Sequence, residues 1–302
     1  MVPSVKFCLI VVFEPHLVQE SLGANNYLDE NALFLHLFLG YVVGGTWIAL
    51  IAWFGELRGS RLGGFVAGLP STVALGFLFI GWNQSAAIAV EATTTFPLFY
   101  SFAGVFLLSF AAIAGKLQNF WRALIISIVI WLAFTSLVAL ADVQIFEFCL
   151  IACILISLGV YSLFTKKLVS PRKVSDRRST WFEAALRFFI GGGIVALAVL
   201  TSQLAGPEIG VIPTAFPAIS CASLYVLNRT HGLEFSRAFA MPIMVTAMLT
   251  VVPFAVAVRV LYPLVGIWFG TLGAYLIAIP FAIIAFLILH PETRILTKVA
   301  WR

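Results

Sequence analysis

The chain has 302 residues, of which 62% are apolar and only 10% are Asp, Glu, Lys or Arg. Soluble domains average about 25% charged residues, so this composition excludes a soluble protein and predicts an all-α membrane protein. The formal net charge of +5 is explained by basic residues that orient membrane helices, so no nucleic-acid partner is expected.

The apolar stretches are long enough for about nine transmembrane helices, since one crossing needs about 20 residues. Residues 1–31 contain only a short apolar run and are predicted to be a tail, as are residues 291–302. In chain order the predicted spans are 32–54, 62–82, 86–114, 121–141, 145–164, 185–204, 209–228, 235–261 and 264–289.

The chain contains an internal repeat. Residues 44–72 recur at 191–219 with a constant offset of 147, and eight of the 29 aligned positions are identical, four of them glycines. The sequence therefore predicts two related halves with four spans each. The predicted parts are repeat 1 (32–141), a linker span with a basic cytoplasmic loop (142–183) and repeat 2 (184–290).

Basic residues predict how the chain is oriented. Segment 166–187 is rich in Lys and Arg, which favours the cytoplasmic side. With nine alternating spans, 16 of the 18 basic residues fall on that side, so the N-terminus is predicted outside and the C-terminus inside. The repeats begin at spans 1 and 6, an odd offset, which predicts that repeat 2 is inverted about an axis in the membrane plane.

Prolines interrupt two of the predicted spans at matching places. Pro70 in span 2 aligns with Pro217 in span 7, and each is predicted to kink its helix, because proline lacks the backbone donor. The freed carbonyls, near Val66 and Pro213, then need partners such as nearby hydroxyls or a polar ligand. Close helix packing is the alternative explanation for these glycines and prolines. The candidate solute-binding residues are Pro70, Ser71, Thr72, Pro213, Thr214 and Pro217.

A few ionisable or amide side chains are predicted within or beside the spans. Glu91 is predicted about 10 Å inside span 3, which makes it a candidate for proton or cation coupling. The alternative is an interfacial glutamate beside Trp82. Glu56 and Gln203 align in the repeat at opposite membrane faces and, with Arg237, are candidate gates. Ordinary loop polarity, or snorkelling in the case of Arg237, is the alternative.

No motif indicates catalysis or a metal. Cys149 and Cys153 lie one turn apart, but without a nearby His or carboxylate they indicate packing. The chain has none of the nucleophile, zinc or phosphate-loop motifs of known enzymes. It is therefore expected to be neither an enzyme nor dependent on a cofactor.

Short elements in residues 186–290 resemble the GlpM-type small bacterial inner-membrane proteins, which are single four-helix units. The elements are Leu200-Thr201-Ser202-Gln203, Pro213 with Phe216-Pro217, Tyr225, Gly232 to Glu234, Ala238 and Pro253. The resemblance implies a prokaryotic plasma membrane and a fused, inverted duplication of that unit, and it leaves a homodimer open. It implies no biochemical activity.

Taken together, these features predict a secondary transporter or permease of an unidentified small solute. Inverted repeats with interrupted helices at matching depth are typical of such proteins, and the solute would bind near the membrane midplane. The alternative is a non-transporting scaffold or assembly factor whose glycines pack against partner helices. The expected partners are the lipid bilayer and the solute.

Overall fold

The computed structural model describes residues 30–57, 70–167 and 181–289, and within these ranges the chain is helical with no strand. The helices are α1 (Glu30–Leu57), α2 (Ser71–Asn83), α3 (Ala86–Ala92), α4 (Phe96–Leu117), α5 (Phe120–Ala141), α6 (Phe146–Lys167), α7 (Trp181–Ala205), α8 (Pro207–Gly210), α9 (Ile212–Ala215), α10 (Ala218–His231) and α11 (Leu233–Leu289).

Six helical stretches among the described residues are long and apolar enough to cross a membrane, as expected for an integral membrane protein. They are Phe96–Leu117, Phe120–Ala141, Phe146–Thr165, Ala184–Ala205, Pro207–Arg229 and Leu233–Leu289. Two spans predicted to be continuous are interrupted. Predicted span 86–114 is divided into α3 and α4, and span 209–228 is divided into α8, α9 and α10.

The long helix α11 folds back on itself at Gly266. This residue has φ of 76° and ψ of 174°, a backbone conformation that only glycine adopts readily. Across the bend, the hydroxyls of Tyr262 and Thr271 lie 2.7 Å apart, and Phe254 meets Tyr275 with ring centroids 5.1 Å apart. The bend lies within a few residues of the predicted boundary between spans 8 and 9.

Helix α4 packs antiparallel to the first part of α11. The N-terminal side of α4 meets Arg259, which donates to Thr94 at 3.1 Å. The C-terminal side meets Arg237, whose Nε donates to the Ala111 carbonyl at 3.0 Å. Between them, Gly104 lies beside Met248. The pair forms part of the main apolar core, whose fully buried aromatic side chains include Phe77, Phe96, Phe106, Phe110 and Phe254.

Helices α1 and α7 cross through the repeated glycines. A Cβ atom on Gly45 would stand 2.6 Å from the Phe188 carbonyl oxygen, and one on Gly192 would collide with the Tyr41 carbonyl oxygen. The offset of 147 aligns Tyr41 with Phe188, so each contact is the repeat equivalent of the other. The same reciprocity holds for Gly44 against Val195 and Gly191 against Ile48.

Candidate functional site

The two repeat-matched prolines begin helices and do not kink them. Pro70 precedes α2 with φ of −75° and ψ of 54°, and Pro217 precedes α10 with φ of −79° and ψ of 47°. Their carbonyls accept equivalent hydrogen bonds, from Ala74 and Cys221, both at 2.9 Å. The expected kink in span 7 is therefore a complete break, because proline fits the start of a helix, where no backbone donor is required.

The break in span 7 satisfies its own polar groups. Helix α9 is a single turn, and the Pro213 carbonyl accepts from the Phe216 amide at 3.2 Å. The hydroxyl of Thr214 is buried and donates to the Val211 carbonyl at 2.5 Å. The carbonyl expected to need a partner near Pro213 thus has one within the backbone, and Val66 lies outside the described residues.

Helices α2, α4 and α5 meet the break between α9 and α10. Gly76 of α2 allows close approach, since a Cβ atom there would collide with the Thr214 methyl group. The Phe77 and Phe96 rings join α2 to α4, with centroids 5.1 Å apart. On α5, the Trp131 ring lies edge-on to Phe216, with centroids 5.0 Å apart.

Several buried polar atoms around these helices have no hydrogen-bond partner in the described part of the chain. They are the hydroxyls of Thr72, Thr95 and Thr135 and the indole nitrogen of Trp131. Leaving such a group unpaired costs roughly 1–3 kcal/mol, so these atoms retain capacity to bind a polar ligand. Sequence reasoning named Thr72, with its buried neighbour Ser71, but missed the other three. The triplet at 93–95 was the available signal for Thr95.

Arg259 lies beside the break between α3 and α4. Its Nη1 donates to the Val90 carbonyl at 3.3 Å and to the hydroxyls of Thr93 and Thr94 at 3.3 and 3.1 Å. The guanidinium carbon also stands 4.4 Å from the Phe146 ring centroid, a cation–π contact. No carboxylate in the described ranges forms an ion pair with it. The orientation predicted from the sequence places 16 of the 18 basic residues inside, and Arg259 is one of the two that it places outside.

Arg237 is held differently, at the other end of α4. Its Nη1 pairs with the Glu234 carboxylate at 2.7 Å while its Nε bonds Ala111. Gly115 provides the space, because a Cβ atom there would overlap the guanidinium. These contacts describe an arginine that joins α11 to α4, and its predicted role as a gate stays a prediction.

The remaining candidate residues lie towards helix ends. Glu91 is exposed near the end of α3, a separate seven-residue helix at the start of span 3, and its predicted role in coupling stays a prediction. The Gln203 Oε1 is buried and has no partner within the described ranges, and the neighbouring Ser202 hydroxyl accepts from Gln84 at 2.8 Å. Glu56 lies in α1, but its side chain is outside the described part.

Comparison with known proteins finds no matching family model, no matching curated protein and no matching solved structure. The resemblance to GlpM-type proteins therefore stays a prediction. Within the residues that the structure describes, there is no group of three or more His, Cys, Asp or Glu side chains suited to a metal ion.

Proposed function

We propose that this chain is a secondary transporter or permease that moves a small solute across a prokaryotic plasma membrane. The observation that carries the proposal is the pair of buried prolines, Pro70 and Pro217, which are related by the repeat and begin helices in nearly the same conformation. Helices that begin at equivalent positions of two repeats are typical of transporters, whose broken helices place helix ends and hydroxyls at a central site.

The proposed topology has nine crossings and two inverted repeats, with the N-terminus outside. Reciprocal contacts between α1 and α7 support an approximate twofold relation between the halves. The antiparallel pairing of α4 with α11 supports inversion, since Pro97 and Pro242 correspond at an offset of 145. An axis that exchanges two antiparallel spans runs perpendicular to them, and so lies in the membrane plane.

The proposed binding site uses buried polar atoms that have no hydrogen-bond partner among the described residues. The hydroxyls of Thr72 and Thr135 supply donors and acceptors, and the Trp131 indole supplies a donor. Buried polar groups discriminate strongly for a ligand that completes their hydrogen bonds. Glu91, exposed at the end of α3, is the proposed coupling group. The mechanism includes no covalent step and no cofactor.

Thermal stability of the purified protein against a metabolite panel tests this function. A solute at one hundred times its dissociation constant stabilises the native state by about 2.7 kcal/mol. The variants Thr72→Val and Thr135→Val should lose that response. Thr201→Val is the matched control, because the Thr201 hydroxyl already bonds the Leu197 carbonyl at 2.7 Å.

Two results would contradict the proposal. One is a panel in which no solute stabilises the protein, and the other is an unchanged response in both threonine variants. A stabilising solute is then tested for uptake into vesicles that contain the purified protein.

Cysteine labelling tests the topology separately. In a background with the four native cysteines replaced, single cysteines at Ser175 and Gln144 should react from opposite sides of the membrane. Labelling of both from one side would exclude the nine-crossing count and the inverted repeat with it.

The alternative proposal is a non-transporting scaffold or assembly factor. The dense aromatic packing beside the breaks favours it, because Phe77 and Phe96 are fully buried and fill space that a solute would occupy. Against it, Gly45 and Gly192 pack against α7 and α1 of the same chain, so they are not free for partner helices. A scaffold predicts that no small solute changes the melting temperature.

A further inference from the structure

We propose that the transported solute carries an oxyanion, such as a carboxylate or phosphate group, which binds between the N-terminus of α4 and the Arg259 guanidinium. This inference rests on the proposed function and names the chemical class of its solute. The site joins a helix end from the first half of the chain to an arginine from the second half.

The Arg259 guanidinium is only partly used by the protein. Its Nη1 makes all three hydrogen bonds described above, while Nε and Nη2 make none within the described part of the chain. Arginine presents its donors as a planar fork that fits carboxylate and phosphate oxygens in pairs. The unused edge of this guanidinium is therefore a suitable surface for two oxygens of one anionic group.

The N-terminus of α4 adds a second attraction for an anion. The helix has 22 residues, and its N-cap residue Thr95 makes no side-chain cap hydrogen bond. Pro97 has no amide hydrogen, and the Leu98 and Phe99 amides donate to the Thr95 carbonyl at 3.1 and 3.2 Å, so the attraction at this end comes mainly from the helix dipole, which places roughly half a positive charge there. Helix N-termini bind anionic groups partly for this reason.

The burial of the Thr95 side chain is the third observation. This side chain is only 4% exposed, and its hydroxyl has no hydrogen-bond partner in the described residues. The hydroxyl stands at the helix end itself, one residue after Thr94, which Arg259 contacts. A buried hydroxyl without a partner at a helix N-terminus can donate to an anionic oxygen.

The charges around Arg259 also call for an anion. The Val90 carbonyl, near the C-terminal end of α3, takes one of its hydrogen bonds, but α3 has only seven residues. The much longer α4 presents its positive end, next to a positive guanidinium. Glu91 is exposed and forms no ion pair with Arg259, so the guanidinium has no opposite charge paired with it among the described residues, and an anionic ligand would supply one.

A dissolved solute and an anionic lipid headgroup share this chemistry, and the experiment separates them. The protein in neutral detergent is melted in sodium phosphate, sodium acetate or sodium chloride at equal ionic strength. It is then melted in nanodiscs of phosphatidylglycerol or phosphatidylcholine. Phosphate stabilises proteins generally by exclusion from their surface, so the readout is the difference between wild type and variant.

The variants are Arg259→Gln, which removes the charge, and Thr95→Val, which keeps the shape and removes the hydroxyl. Arg237→Gln is the matched control, since it removes a half-buried arginine from the other end of α4. For an oxyanion at one hundred times its dissociation constant, we expect the melting temperature of the wild type to rise by about 5 °C. Arg259→Gln should abolish the rise, Thr95→Val should reduce it, and Arg237→Gln should keep it.

The proposal is overturned if no oxyanion raises the melting temperature above its value in chloride, or if Arg259→Gln and Thr95→Val both respond like wild type. A rise confined to phosphatidylglycerol, and lost in Arg259→Gln, supports the oxyanion site with a lipid as its source, and overturns the assignment to the solute. Uptake of an uncharged solute into vesicles, without stabilisation by any anion, would support the transport function and contradict the oxyanion site. A rise that depends on Arg259, without uptake of any anion, would support the oxyanion site and contradict the proposed transport function.

Discussion

The first and second halves of the chain share backbone features but differ in their polar side chains. Both halves use glycines at the α1–α7 crossing, and both begin a helix at a proline with almost the same φ and ψ. By contrast, the threonines of the α3–α4 break lie in the first half, and Arg237 and Arg259 lie in the second. The shared features determine how helices meet, and the unshared ones determine which charges occur where.

The two ends of α4 show the consequence of this difference. At the C-terminal end, Arg237 meets the negative end of the helix dipole and also pairs with Glu234, so its charge is balanced twice. At the N-terminal end, Arg259 meets the positive end of the same helix and forms no ion pair with a described carboxylate. The positive charge at the C-terminal end of α4 is balanced by a carboxylate of the protein, whereas the one at the N-terminal end is not paired with a described carboxylate.

The largest expected effect comes from the shared glycines. Gly192→Ala and Gly45→Ala should each destabilise the protein by about 1–3 kcal/mol, because the added methyl group would press on a backbone carbonyl across the crossing. Gly193→Ala is the control, since nothing lies within 4 Å of a Cβ atom there. Unfolding in detergent measures the change.

The comparison between the halves also predicts the relative size of the two losses of stability. If the crossing relates the halves by approximate symmetry, Gly45→Ala and Gly192→Ala should cost similar amounts. A large loss for one and none for the other would break the equivalence, and a loss in Gly193→Ala would show that the assay does not report the crossing.

The next prediction compares the loss of stability when each of the two arginines is replaced. Arg237→Met should cost about 1–2 kcal/mol, because it removes a hydrogen bond from a charged group to Ala111 and leaves Glu234 without its partner. Arg259→Met should cost less in the absence of an anion, because it also removes a cation from the N-terminal end of α4. Chemical denaturation of both variants in chloride without a carboxylate or phosphate measures the two losses. A larger loss for Arg259→Met would contradict the electrostatic contrast between the two ends.

Sequence alone predicts the helical class, the repeat and the positions of the matched prolines, because hydrophobic length, identity at fixed offset and proline chemistry are all local signals. It does not predict the break at Thr93–Thr95. Hydrophobic length joins residues 86–114 into one span, and the local signal for the break, three threonines followed by a proline that fits the first turn of a helix, also occurs within continuous membrane helices. The bend at Gly266, by contrast, lies within a few residues of the boundary predicted between spans 8 and 9, because the apolar stretch there is too long for one crossing.

The candidate site is less predictable than the fold, because it depends on contacts between distant segments. Ser71 and Thr72 follow a proline and can be named from sequence. Arg259 meets Thr94 across 165 positions, and no pattern in a single sequence encodes that pairing. For Glu91, counting residues from the start of span 3 predicts a depth within the span, but it cannot determine how much of the side chain the neighbouring helices cover.

The prolines should have a smaller effect on stability than the arginines. Pro70→Ala and Pro217→Ala should each cost about 0.4–1 kcal/mol, mainly by increasing the freedom of the unfolded chain. Their effect on transport should exceed their effect on expression, because the two residues fix where α2 and α10 begin. Uptake normalised to the amount of protein measures this. Full uptake in both variants would remove the main support for a solute-binding site at these helix starts.

The smallest effect on stability is expected for Glu91→Gln, which tests whether the break between α3 and α4 also couples transport to an ion. The side chain is exposed, so the neutral isostere should change the free energy of unfolding by less than about 0.5 kcal/mol. A coupling carboxylate must gain and lose charge during the cycle, and glutamine cannot do so. Uptake by Glu91→Gln should therefore become independent of a pH or cation gradient while binding of the solute persists. If the variant keeps the gradient dependence of wild type, Glu91 is an interfacial residue, and the polar function of this region belongs to Thr95 and Arg259.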